Sequence, residues 1–164
     1  MWWLVVAIPT VVLGGLSVLV WMGARERRGA ASELALIRAM SESDAEKVAL
    51  GLMTRPPFHV RKARAPLSSP ELPSHVRSLF DRYEEVVCGE FRLATEALTQ
   101  PARLPGFIKI GEDSEFTEIL VRPGDPRIYI SYGEGPQSDK TMETEPTIWH
   151  AIIVASGRAP QRNA

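Results

Sequence analysis

From Trp2 to Met22 the chain carries no charged side chain, and the apolar run then meets Arg25, Arg27 and Arg28 around Glu26. At about 1.5 Å per helical residue, roughly twenty residues cover the ~30 Å hydrocarbon layer of a bilayer. The run is therefore read as a transmembrane helix, residues 1–24. Trp2 and Trp3 at one end and Trp21 at the other stand where indoles anchor at headgroup level. Pro9 and the Gly14-Gly15 pair are tolerated in spanning helices, where neighbouring groups satisfy the freed backbone. A cleaved secretion signal would start with basic residues, keep a shorter apolar stretch and end in small residues. This run has no basic start and ends in arginines. Excess arginine marks the cytoplasmic flank of a span. The expectation is a single-pass protein of the cell membrane, N-terminus outside and residues 25–164 in the cytoplasm, with the lipid bilayer as one partner.

The charge beyond the run is uneven. Residues 25–64 hold nine Lys/Arg against five acids, whereas residues 65–164 hold ten against fifteen. A basic stalk thus carries an acidic head, and an acidic head lacks the cations that phosphate backbones require, which argues against nucleic acid as a partner. Cys88 is the only cysteine, so neither an intrachain disulfide nor a cysteine-based metal cage is available.

Ser43-Asp44-Ala45-Glu46 matches the capping box that opens a helix, here spanning 44–53 with Val48, Leu52 and Met53. Ser32 is placed to cap an earlier helix with Leu34, Ile37 and Arg38. "RPPFHVRKARAPLSSPELP" has five prolines and reads as an extended connector with one edge strand at Phe58 to Arg61, since proline fixes φ and removes a donor. Its basic residues serve either as a solvated spacer or as a patch on anionic headgroups. Residues 25–72 are thus taken as stalk and linker. After Pro73, Val76, Leu79, Phe80, Tyr83, Val86 and Val87 recur at helical spacing, with Gly89 as the stop. "FRLATEAL", "GFIKIG", "FTEILVRP" and "RIYISY" follow, the last two separated by the turn signal Gly124-Asp125-Pro126. They predict an antiparallel meander. "EGPQSDKTMETEP" reads as a long polar loop, and "PTIWHAIIVASG" as a closing helix with Pro146 in its first turn. The fold class is α+β: one transmembrane helix, then a small cytoplasmic domain (73–157) with an antiparallel sheet packed against helices, and a disordered tail over 158–164.

Catalytic motifs are not visible. There is no G-x-S-x-G, Cys88 reads as a buried small hydrophobe, and His59, His75 and His150 share no metal-ligand spacing. No catalytic, metal or cofactor site is assigned. The acid series Glu112, Asp113, Glu115 and Glu118 is either a solvated face or a surface that recruits a basic protein partner through complementary charge. A rival reading is a small membrane-tethered hydrolase or transferase using converging acidic residues with His150; a third is an accessory subunit of a membrane complex.

The helix "LPSHVRSLFDRYEEV", the run "GFIKIGEDSEFTEILVRPGDPRIYISY" and the closing "PTIWHAIIV" helix, with the texture around Ile110, Gly111, Asp113 and Glu118, resemble the SUKH superfamily. That superfamily includes fungal cell-wall synthesis regulators and many bacterial immunity proteins against polymorphic toxins. The resemblance covers roughly residues 70–156. It implies an α+β binding module without catalysis, whose partner is a protein such as a toxin domain.

Overall fold

A computed structural model describes residues 31–67, 69–113, 117–132 and 142–158, and divides the chain into two compact units, Met1–Ala39 and Met40–Ala164. In the first unit residues 31–38 are helical (α1), and Ala39 N donates back to Ala35 O at 3.0 Å.

The second unit runs α2 (Glu42–Met53), β1 (Phe58–Lys62), α3 (Ser74–Arg82), β2 (Tyr83–Cys88), β3 (Phe91–Ala94), a 3-10 turn (Thr95–Thr99), β4 (Ile108–Asp113), β5 (Thr117–Val121), β6 (Ile128–Tyr132), β7 (Met142–Glu145) and α4 (Ile148–Arg158). The seven strands lie in sequence order, each antiparallel to the next. The stretch read as stalk and linker enters this unit from Met40 onward, contributing α2 and the edge strand β1.

The membrane-anchored fold class is corrected by these elements. No helix among the described residues is long and apolar enough to cross a membrane. The longest, α2, has 12 residues, about 18 Å of helix against a ~30 Å hydrocarbon layer. The run 2–22 and its flank, with Trp2, Trp3, Trp21, Arg25, Arg27 and Arg28, lie outside the described residues.

The helix expected to reach Val87 stops at Arg82, where Tyr83 turns extended at φ -136 and ψ 129. Val86 and Val87 are β-branched and favour the strand β2, which pairs with β1 on one side and β3 on the other. Gly89, at φ 63, is therefore a residue of the two-residue β2–β3 hairpin and not a helix stop. Part of the expected polar loop is also strand, because β7 extends the ladder beside β6. The α2 cap sits two residues earlier than the expected box: the Ser41 hydroxyl accepts from Asp44 N at 3.2 Å.

Successive strand residues face opposite sides of a sheet. One side of this sheet carries the buried Val86, Cys88, Phe91, Leu93, Ile119, Val121, Ile128 and Ile130. The helices lie on that side: Cys88 Sγ reaches Ala155 O of α4 at 3.9 Å. On α2 the buried positions are Ala45, Ala49 and Met53, one stripe at i, i+4 and i+8, in which the two small alanines let α2 lie close along α4. Val48, expected on the apolar face, is 41% exposed. Two buried imidazoles join the helical layer. His75 Nε2 lies 2.6 Å from Pro126 O, and its Nδ1 accepts from Ile148 N at 3.4 Å, satisfying one of the free amides at the start of α4. His150 pairs through Nδ1 with Thr147 Oγ1 at 2.8 Å and through Nε2 with Met40 O at 3.2 Å.

Candidate functional site

The face of the sheet away from the helices carries a continuous row of opposite charges. On β1, Arg61 Nε lies 2.5 Å from Glu84 Oε1, and its Nη2 lies 3.6 Å from Glu85 Oε2. On β3, Arg92 is the hub: Nε donates to Glu85 at 2.7 Å, Nη2 donates to Glu96, and Nη1 stands 3.6 Å from Glu112. On β4, Lys109 Nζ lies 3.5 Å from Glu112 Oε2 and 3.9 Å from Glu118 Oε1. Arg103 closes the row, its backbone N–H donating to Glu118 Oε2 at 3.0 Å and its Nε lying 3.7 Å from Oε1.

A β-bulge makes this row possible. The β4–β5 register shifts between Lys109 and Gly111, so Lys109 and Glu112, three apart, share a face that regular alternation would deny them. Glu112 and Glu118 are direct cross-strand partners. Two like charges so opposed destabilise a sheet, and the Lys109 ammonium between them removes the conflict. Burial varies along the row: the Lys109 and Glu118 side chains are only 13% and 7% exposed, whereas Arg61 and Arg103 at its two ends are 54% and 45% exposed. The exposed pairs contribute about 0–1 kcal/mol each. The buried Lys109–Glu118 pair costs far more to break, because a lone charge would be left without water. The hydrogen bonds that Arg92 donates to Glu96 and then to Glu85 push its guanidinium pKa still higher, while the contact with Arg92 holds the Glu96 carboxyl below the usual carboxylate range.

Gly111 sets the spacing of the row. A Cβ there would come 2.2 Å from Arg92 O and 3.0 Å from Leu93 Cα, so β3 and β4 approach as they do only because position 111 has no side chain. Beyond β4 the face is covered. Phe107 meets Tyr129 edge to face at 5.1 Å, and Tyr129 donates to Asp125 at 2.6 Å, which Arg127 also grips. The Arg127 bonds first, then the Tyr129 hydroxyl, hold the Asp125 carboxyl well below its ordinary range.

The structure separates the acid series that the sequence grouped. Glu112 and Glu118 lie together. Asp113 faces the other side, opposite Phe91 in register, close enough to Cys88 to help its burial raise the thiol. Glu115 lies outside the described residues. His150 is buried in the helical layer with both ring nitrogens engaged, whereas Glu112 and Glu118 occupy the opposite side of the sheet. Glu112 and Glu118 are therefore not brought beside His150. Among the described residues no cluster of His, Cys, Asp or Glu could hold a metal ion. An open groove of about 400 Å³ runs beside α3, lined by Leu67, Ser74, Arg77, Ser78, Asp81 and Arg82. Its Asp81 is occupied by Leu67 N at 2.9 Å and its Arg82 by Glu46 at 3.0 Å.

The sequence reading missed Arg92 and Lys109. A basic residue on each of two strands was the available signal, but their partners lie on other strands and only the register brings them together. No protein-family model matches the chain, and no curated protein or solved structure is found to be similar to it.

Proposed function

We propose that the domain is a protein-binding module without catalysis, and that it docks its partner on the charged face of the sheet. The observation that carries this reading is the ordered row from Arg61 to Arg103, in which each charge is held by its neighbours before any partner arrives. Side chains already fixed lose little freedom on association, so such a face binds with a smaller entropic penalty than a field of mobile charges. Glu96 and Glu112, the acids most open to solvent in the row at 55% and 44%, are the points where a basic protein partner adds its own cations. The resemblance to the SUKH superfamily supports the same class of function, with a protein such as a toxin domain as the partner.

The test is site-specific photo-crosslinking in the producing cell from position 96, with position 47 on the exposed face of α2 as the control. A partner captured from 96 and not from 47 is then purified, and its affinity is measured for the native chain and for E96K/E112K. The expected result is at least a ten-fold weakening, equivalent to about 1.4 kcal/mol. Equal capture from both positions, or unchanged affinity in the double variant, removes the sheet face from the proposal.

A further inference from the structure

The edge strand β1 is a second, chemically different surface. It heads the strand order, so one side of its backbone has no strand beside it among the described residues. Four of its five residues are exposed, His59 to Lys62. Val60 belongs by alternation to the helical side, opposite the fully buried Val86, yet it remains 40% exposed because the helical layer does not cover it. Cations flank and line this edge. Arg55 precedes β1, Lys62 ends it and Arg64 follows; all three are exposed, and none makes an ion pair or side-chain hydrogen bond among the described residues. No acidic residue occurs between Lys47 and Pro70.

A free strand edge is a template for another strand. Like charges select against most candidates. Two copies pairing β1 to β1 would set Arg55, Lys62 and Arg64 of one against the same cations of the other, so the edge refuses its own kind and any basic strand. We infer that β1 captures an extended acidic segment of a partner protein by strand addition, with acids beside Arg55, Lys62 and Arg64 and a β-branched residue against Val60. The register shift between Arg61 and Lys62 limits the paired stretch to the first four residues of β1, so the captured segment is short. This inference rests on the reading of the domain as a binding module, but it uses another surface and the opposite sign of charge.

The experiment titrates the full-length chain with a fluorescein-labelled hexapeptide of alternating Glu and Val, by fluorescence anisotropy. Three controls accompany it: the same peptide with Lys for Glu, the Glu peptide N-methylated at alternate amides, and vesicles containing phosphatidylserine. The expected result is saturable binding of the acidic peptide, at least ten-fold weaker for the Lys peptide, for the N-methylated peptide in one of its two phases, and for the R55E/K62E/R64E variant. That variant changes only exposed side chains without an ion pair or side-chain hydrogen bond among the described residues, and its circular dichroism should match the native chain. Equal binding of both N-methylated phases would show attraction without strand pairing and overturn the inference. So would binding to the vesicles with none to the peptide, or β1-dependent self-association that R55E/K62E/R64E abolishes. Capture from position 96 that persists in R55E/K62E/R64E, with no peptide binding to the native chain, would sink strand addition and leave the sheet-face proposal standing.

Discussion

His75 illustrates how much one buried side chain can fix. Its Nε2–H donates to Pro126 O and its bare Nδ1 receives the Ile148 amide, so only the neutral ring with the proton on Nε2 suits both neighbours. Burial lowers its pKa from the usual imidazole value, against smaller opposing effects of the Pro126 carbonyl and Glu42; His150 adds a slight further lowering. The sign follows by linkage. Above about pH 6.5 the ring is neutral in both states and its contribution is complete. As pH falls below that value the unfolded chain takes up the proton first, and stability is lost until the folded pKa is passed. Thermal melting between pH 7.5 and 5 should show the native chain losing stability on acidification, with a shallower loss in H75Q. A parallel slope in both chains would remove His75 as the source. Gly111 makes a second residue-scale prediction. G111A drives a methyl group into Arg92 O, and overpacking against backbone should cost about 3 kcal/mol, read as a lower denaturant midpoint at unchanged slope.

At the scale of elements, the β4 bulge and the hairpins decide what the strands present. Lys109 stands between Glu112 and Glu118 only because of the register shift. K109M should therefore leave two opposed carboxylates, one of them nearly buried, and lower stability by about 3 kcal/mol. K109M/E118Q should recover most of that loss, because the amide oxygen still accepts from Arg103 N. Urea unfolding of the two variants checks both statements, and a double variant no more stable than the single would refute the assigned role of Lys109. The same elements show what was readable beforehand. The closing helix could be placed from its apolar run, although Pro146 precedes α4 and Gly157, read as lying past its end, falls inside it; the β5–β6 hairpin could be placed from alternation around Gly124-Asp125-Pro126, because those signals are local. The β2 strand was misread because Val86 and Val87 continue the three-four spacing of α3, and only pairing with β1 and β3 decides in favour of extended backbone. The charged row was illegible for the same reason. Arg61, Arg92 and Glu118 come from three strands, and no local pattern relates them.

On the scale of the second unit, the described residues divide between a helical side and a charged side of the sheet. His75, His150 and Cys88 are committed to the helical layer, where each has a neighbour within bonding distance. Among the described residues, the row from Arg61 to Arg103 and the β1 edge lie outside that helical layer. The expectation of a membrane-anchored fold came from a stretch outside the described residues, and the described helices are too short or too polar to serve as a span.

The contact between α2 and α4 also bears on synthesis. The strands pair with their sequence neighbours, so each hairpin can close soon after it leaves the ribosome, yet α2 near the start of the unit rests on a helix more than ninety residues later. Until residues 148–158 have been translated, Ala45, Ala49 and Met53 have no α4 to meet, and the nascent unit carries an unfinished greasy seam that a chaperone could occupy.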